Sequence, residues 1–220
     1  MSTETGFAFA ADPELVRPDD TLDLACQLLF ATGRPVTLDE LAAQLGQRPA
    51  AVVEAVERFE AVGRVRRNAE GQIIASYGIS VVPGDYELRI GERLRWVACA
   101  KTGLGVLGAL AGGGTLATRC PQTGEPVRVD FDGGTPRPSG SAVLWPSEVF
   151  QSSCQSAAGQ LCATFSLFRD ARAAHEWAAA RGVDAEVLDP REATSRTVAR
   201  YRHSLGVPQN RETLLGGVSQ

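Results

Sequence analysis

The sequence predicts an α+β protein in which a short helical region precedes a larger region made mainly of strands. Three helical segments come first, between Leu22 and Val62. From Tyr77 onward, strand-like segments outnumber helices and mostly precede them, which favours an antiparallel sheet over alternating strand–helix units. We therefore expect a winged-helix-like three-helix domain at 19–80, followed by an α+β domain with a mostly antiparallel sheet at 81–220.

Residues 1–18 have the small, polar composition of a flexible leader. They lack the basic start and apolar core of a secretory signal. No stretch of the chain has the roughly 18 apolar residues that a membrane helix needs. We therefore expect a cytoplasmic protein whose five cysteines are free thiols.

The helical region carries recognisable start and stop signals. The first helix is expected at 22–31, where apolar residues recur at helical spacing. The second, at 38–45, follows Thr37, and Glu40 stands three residues later, a pattern that predicts a capping box. The third follows Pro49 and carries valines at helical spacing.

A β-hairpin is expected next, with strands at 65–66 and 73–74 joined by a turn at 68–71. Three helices and a hairpin are typical of winged-helix DNA-binding proteins. However, acidic residues outnumber arginines between Asp12 and Ser80, whereas phosphate contacts require a positive surface. We therefore expect no nucleic acid partner and favour a structural or partner-docking role for this region.

The second region is predicted as a series of strands that ends in helices. Strands are expected at 79–82, 86–90, 127–131, 142–145, 161–168 and 186–188, and helices at 171–181 and 191–205. The polar segment at 146–159 is expected to lie over a pocket.

Two cysteines have the sequence context of functional thiols. Cys99 directly precedes a Gly-rich apolar segment at 102–112, and a helix N-terminus there would lower its pKa. Arg95 and Lys101 are close in sequence and are expected to add positive charge. Cys162 falls on the more polar face of the alternating stretch at 161–168. Simple packing is the alternative for both thiols, and the functional hypothesis requires them to face each other across one pocket.

The other cysteines have weaker signals. Cys120 precedes a tight turn and is expected to be structural, Cys26 lies on an apolar helix stripe, and Cys154 lies in a polar loop. A structural zinc site is disfavoured, because no C-x2-C pair occurs and only His175 and His203 are available.

Two further constellations are also disfavoured. No Ser-His-Asp signature occurs, and the glycines between 103 and 114 lack the strand–helix context of a phosphate-binding loop. We expect the glycines at 105 and 108 to allow close packing instead.

Several motifs together resemble the organomercurial (alkylmercury) lyase family over about residues 20–205. They are the stretch at 96–104, Ala109–Leu110, RCPQTGEPV at 119–127, and LCATFSLF followed by the helix that contains Glu176–Trp177. The resemblance implies a winged-helix-like domain followed by an α+β catalytic domain. It also places the two catalytic cysteines of the family on Cys99 and Cys162 and its non-catalytic cysteine on Cys120.

The resemblance implies a lyase in which Cys99 and Cys162 both bind mercury and release a hydrocarbon. No cofactor would be required, and Hg(II) would remain as the bound product. The partners would be a small organometal substrate and a thiol acceptor of the metal, with no membrane involved. One position departs from the family, because Thr102 stands where it normally has an aspartate that helps to deliver the proton.

A hydroxyl at position 102 leaves three alternatives open. The chain could be a homologue that acts on a different substrate, a non-catalytic thiol binder of soft metals, or a winged-helix regulator that senses a thiophilic ligand. With Thr102 in the catalytic set, lyase activity is expected to be slow or altered.

Overall fold

The computed structural model describes residues 20–148 and 162–207. The predicted leader at 1–18, most of the polar segment at 146–159, and Cys154 lie outside the described residues. Within them the helices are α1 Asp20–Thr32, α2 Leu38–Leu45, α3 Pro49–Ala61, α4 Ala100–Leu110, α5 Cys162–Thr164, α6 Ala171–Arg181 and α7 Pro190–Ser204. The strands are β1 Val65–Arg67, β2 Ile73–Ser76, β3 Ile79–Ser80, β4 Tyr86–Ile90, β5 Arg93–Val97, β6 Gly114–Arg119, β7 Pro126–Asp132, β8 Thr135–Pro136, β9 Ala142–Pro146, β10 Leu167–Phe168 and β11 Ala185–Leu188.

The predicted helices of the first region form, and one of their caps differs in detail. The Thr37 hydroxyl accepts the Glu40 backbone N–H at 3.1 Å, as an N-cap should. The second bond of a capping box, from the Thr37 backbone N–H to the Glu40 carboxylate, does not form, because this carboxylate pairs with Arg34 at 2.8 Å. The N-terminus of α2 is therefore capped by the Thr37 side chain alone, without the second bond of a capping box.

One antiparallel sheet continues from the first predicted region into the second. Its strand order is β1-β2-β3-β5-β4-β6-β7-β8, and the predicted hairpin forms its first two strands. Strand β3 pairs with β2 on one side and with β5 on the other. The α+β fold with an antiparallel sheet is confirmed, and the predicted boundary at 80/81 falls directly after β3.

Strand β5 was not predicted, and its Arg95 was expected to add positive charge near Cys99. The Arg95 side chain is instead buried and donates to backbone carbonyls at the end of α1. Its Nε lies 2.9 Å from the Phe30 carbonyl oxygen and its Nη2 lies 2.6 Å from the same atom. A cation is favourable there because the last carbonyls of a helix lack partners and carry partial negative charge.

The chain leaves α1 through Gly33, whose φ of +70° favours glycine. A Cβ at this position would lie 2.7 Å from Nη1 of Arg95. The turn after α1 and the buried guanidinium therefore require one another.

Helices α4 and α7 approach closely, as predicted from the two glycines. A Cβ at Gly108 would lie 2.6 Å from Cγ2 of Thr194, and one at Gly105 would overlap the ring of Tyr201. Both glycines are buried within α4. They bring the last helix against the segment that begins at Cys99.

The strand predicted at 161–168 is wrong over most of its length. Residues 162–164 form a helical turn, and only Leu167–Phe168 pair as a strand, against β9. The Ser166 hydroxyl donates to the Ala163 carbonyl at 2.8 Å, and its backbone N–H donates to Thr164. These local bonds compete with strand pairing, as serine and threonine side chains often do.

Strand β9 is the centre of a second, three-stranded antiparallel sheet, with order β10-β9-β11. In the part of the chain that the structure describes, no helix has the length and apolar character to cross a membrane.

Candidate functional site

Cys99 stands at the junction between β5 and α4. Its backbone is extended, with φ −163° and ψ 171°, and it is the N-cap residue of α4. On one side the Ala98 N–H donates to the Gly78 carbonyl at 2.8 Å. On the other, the Ala100 N–H donates to the Phe165 carbonyl at 2.9 Å. These two bonds fix the start of α4 against the first sheet and against the segment that carries Cys162.

Cys162 begins the helical turn α5 and is partly exposed, whereas Cys99 is buried. The segment after Cys162 is held by a bond from the Leu167 N–H to the Tyr86 hydroxyl at 3.1 Å. The side chains of Cys162 and Cys99 interact, and hydrogen bonding between the two sulfurs is the largest cause of the pKa shift of each. The fold thus brings together two cysteines that lie far apart in sequence.

The two thiols have opposite pKa shifts because they share this bond. The Cys162 hydrogen bond is the largest cause that lowers the pKa of Cys99, and it outweighs the opposing effect of burial. Thr102 and the charge of Lys101 lower the Cys99 pKa further. The bond to Cys99, together with burial, raises the pKa of Cys162. These opposite shifts favour ionisation of Cys99 over ionisation of Cys162.

Thr102 lies one turn into α4 and connects Cys99 to the last helix. Its Oγ1 is 3.5 Å from the Cys99 sulfur. The Tyr201 hydroxyl on α7 donates to the same Oγ1 at 2.9 Å. Tyr201 was not among the predicted site residues, because no motif marks it and only the packing of α7 on α4 brings it there.

Lys101 is the only lysine in the sequence, and it lies beside both thiols. Its Nζ is 4.5 Å from the ring centroid of Phe165 and 5.4 Å from that of Trp145, within the range of cation–π contacts. Burial lowers the pKa of Lys101, while the nearby cysteines raise it. Lys101 thus couples α4 to the segment that carries Cys162.

A cleft of about 770 Å³ opens beside Cys162. Its lining combines aromatic and charged side chains, including Tyr86, Glu87, Trp96, Arg119, Cys162 and Trp177. Cys99 does not line the cleft and lies behind Cys162 with 2% of its surface exposed. A ligand that enters this cleft would meet Cys162 first.

The remaining described cysteines are separate from this pair. Cys120 is buried, and although burial raises its pKa, backbone N–H groups including that of Arg169 make the net shift downward. His175 and His203 lie exposed on helices α6 and α7. Across residues 20–148 and 162–207, no group of three or more His, Cys, Asp or Glu residues could hold a metal ion.

Comparison with known proteins identifies a matching family and a solved structure of similar fold. The model of the alkylmercury lyase family matches residues 79–200, which is more than half of the chain and includes β3 to α7. The mercury-bound form of MerB2 is structurally similar, with a TM-score of 0.74 and 21% sequence identity over 87% of this chain and 94% of that chain. No curated protein matches the sequence.

Proposed function

Because the chain belongs to the alkylmercury lyase family, we propose that it cleaves a carbon–mercury bond by protonolysis, with Cys99 and Cys162 as the mercury ligands. The observation that supports this most strongly is the hydrogen-bonded thiol pair. It combines a Cys99 sulfur of lowered pKa with a second, protonated sulfur beside an open cleft. A thiolate can bind a soft metal, and a thiol beside it can supply the proton that the departing carbon requires.

The first step would be attack of the Cys99 thiolate on the mercury of R–Hg⁺, which would have to pass Cys162 because Cys99 does not line the cleft. Mercury is a soft metal and thiolate is a soft ligand, so this bond is strong. The first turn of α4 holds the sulfur in place, since Cys99 is the N-cap residue and the next N–H is bonded to Phe165. Little reorganisation is then needed when mercury arrives.

The second step would transfer the Cys162 proton to carbon while its sulfur bonds to mercury. The mercury–carbon bond breaks, and its electron pair takes up the proton and releases R–H. One thiolate, one thiol and R–Hg⁺ thus give a hydrocarbon and a neutral complex of Hg(II) with two sulfurs, so atoms and charge balance. No cofactor enters this scheme, and a thiol acceptor outside the site would have to remove the metal.

Thr102 would take part in proton delivery without acting as an acid. Its hydroxyl does not ionise near neutral pH, so it can orient or relay a proton but cannot supply one. The proton must come from Cys162 or from a water held by Thr102. Losing a well-placed acid typically costs ~10²–10⁴-fold in rate, and we expect turnover to be slow by that order.

The test is hydrocarbon release from phenylmercury in the presence of excess thiol. We expect the parent chain to release benzene, and Cys99→Ala and Cys162→Ala to lose at least ~10²-fold in rate, as expected when a reacting group is removed. Cys26→Ala is the matched control, because Cys26 is fully buried in α1. Gas chromatography of the headspace measures the product.

Three outcomes would contradict the proposal. Equal benzene release by the parent and by both site variants would remove the thiol pair from the chemistry. Tight stoichiometric binding of Hg(II) without hydrocarbon would favour a non-catalytic binder of soft metals. If the chain neither releases benzene nor binds Hg(II) tightly, a homologue that acts on another substrate would be favoured.

A further inference from the structure

The buried hydroxyl of Tyr201 needs a reason beyond packing. The ring of Tyr201 occupies the space that Gly105 leaves open on α4, and the side chain is almost completely buried. A phenylalanine would fill the same space without the cost of burying a polar group. The hydroxyl must therefore be satisfied where it lies, and its partners show what it does.

The Tyr201 hydroxyl has two acceptors within reach, and one is clearly closer. Thr102 Oγ1 lies at 2.9 Å and the Tyr77 carbonyl oxygen at 3.4 Å. Hydrogen bonds between hydroxyls and oxygen acceptors normally measure ~2.5–3.0 Å. The single hydrogen of Tyr201 therefore belongs on Thr102.

The direction of this bond determines where the hydrogen of Thr102 points. A threonine hydroxyl has one hydrogen and two lone pairs. With one lone pair taken by Tyr201, its own hydrogen must go to another acceptor, and the Cys99 sulfur is 3.5 Å away.

The neighbouring turn holds Thr102 in this orientation. Tyr77 and Gly78 have φ values of +50° and +79°, and a Cβ on Gly78 would lie 2.8 Å from Thr102 Oγ1. The backbone at Gly78 thus comes close to the Thr102 hydroxyl. The Thr102 side chain is enclosed by Gly78, Tyr201 and Cys99.

We propose that Tyr201 is a positioning residue for the reaction, and that its hydroxyl orders the chain Tyr201–Thr102–Cys99 so that Thr102 donates toward the reacting sulfur. The proposal rests on the proposed function for its role in turnover. The hydrogen-bond order itself exists in the resting protein. Without Tyr201 as donor, the Thr102 hydroxyl is free to rotate away from Cys99.

The experiment compares Tyr201→Phe, Thr102→Val, the double variant and the control Thr197→Val. Thr197 lies one turn earlier on α7, is buried, and has a hydroxyl without a hydrogen-bond partner. The control therefore removes a buried hydroxyl from the same helix while leaving the chain from Tyr201 to Cys99 intact. Thermal unfolding checks that every variant is folded.

Two readouts separate this proposal from the lyase proposal. The first is kcat and KM for phenylmercury, and the second is the rate at which iodoacetamide labels Cys99 at a fixed pH below its lowered pKa, resolved by peptide mass spectrometry. We expect Tyr201→Phe to lower kcat and the labelling rate about three- to tenfold, the scale of one hydrogen bond, with KM little changed. Thr197→Val should match the parent.

The double variant decides whether Tyr201 acts through Thr102. We expect Tyr201→Phe to have no further effect once Thr102 is valine, because the intermediate hydroxyl is gone. Parent-like rates in Tyr201→Phe, or an undiminished loss in the Thr102→Val background, would overturn the proposal. If the parent releases no hydrocarbon, the proposed function fails and the labelling rates alone decide this inference.

Discussion

Two thiols of this protein are equally hidden from solvent, yet their environments shift their pKa values in opposite directions. Cys26 in the middle of α1 is 0% exposed and Cys99 at the start of α4 is 2% exposed. Burial raises the pKa of Cys26, and the nearby Asp23 raises it further. At Cys99 the hydrogen bond from Cys162 and the contacts with Thr102 reverse the effect of burial. The hydrogen-bond donors around a sulfur, and not the extent of its burial, decide whether its thiol is reactive or only packs.

The largest difference is expected in chemical reactivity of the folded protein. At near-neutral pH we expect iodoacetamide to label Cys99 at least ~10²-fold faster than Cys26, because the thiolate is the reactive form and Cys26 is held as a thiol. Peptide mass spectrometry after timed quenching measures both sites in one sample. Equal rates at the two positions would show that the comparison is wrong.

A smaller effect is expected from the charge of Lys101, which acts on one thiol only. Lys101→Met removes a cation beside Cys99, so we expect labelling of Cys99 to slow about three- to tenfold at a pH below its lowered pKa, since ion pairs at partly buried sites have that magnitude. Lys101→Arg is the matched control, because it keeps the charge. A loss in the arginine variant as large as that in the methionine variant would assign the effect to packing against Phe165.

The smallest effect concerns stability in alkali. The folded pKa of Cys26 is raised above its ordinary value of 9.0, so below that pH both folded and unfolded chains keep the proton. Above it the unfolded chain loses the proton while the folded chain holds it, and the free energy of unfolding falls as pH rises, by at most ~1.4 kcal/mol per pH unit for this one group.

Cys26→Ala removes this contribution, and we expect its free energy of unfolding to fall less steeply than that of the parent above pH 9.0. The cavity should cost the variant about 1 kcal/mol at neutral pH. Urea unfolding on both sides of that pH measures the two slopes. Parallel slopes would mean that Cys26 is not held as a thiol.

Local sequence signals predicted those parts of the molecule that depend on local physics. The N-cap Thr37 and the alternation in β7 each gave an element of the right type and position. The family resemblance is confirmed by the match at 79–200. The site assignment of Cys99, Cys162 and Thr102 and the two-domain division remain predictions.

The sequence did not predict contacts between residues that lie far apart in the chain. Arg95 was expected to add positive charge near Cys99, but it bonds to the carbonyl of Phe30 at the end of α1, 65 residues earlier in the chain. Tyr201 meets Thr102 across 99 residues, and no periodicity identifies that contact. The stretch at 161–168 alternates like a strand, but Ser166 bonds locally and a helical turn forms.

The continuous pairing of β2, β3 and β5 makes the point between residues 80 and 81 a poor place to divide the chain. A fragment that begins there would leave Trp96 and Val97 of β5 without their partners in β3. It would also lose the helix end that the Arg95 guanidinium neutralises. Such an unpaired strand edge invites association with other chains, so the solubility of the strand-rich region depends on strand β3 and on helix α1, which lie outside it.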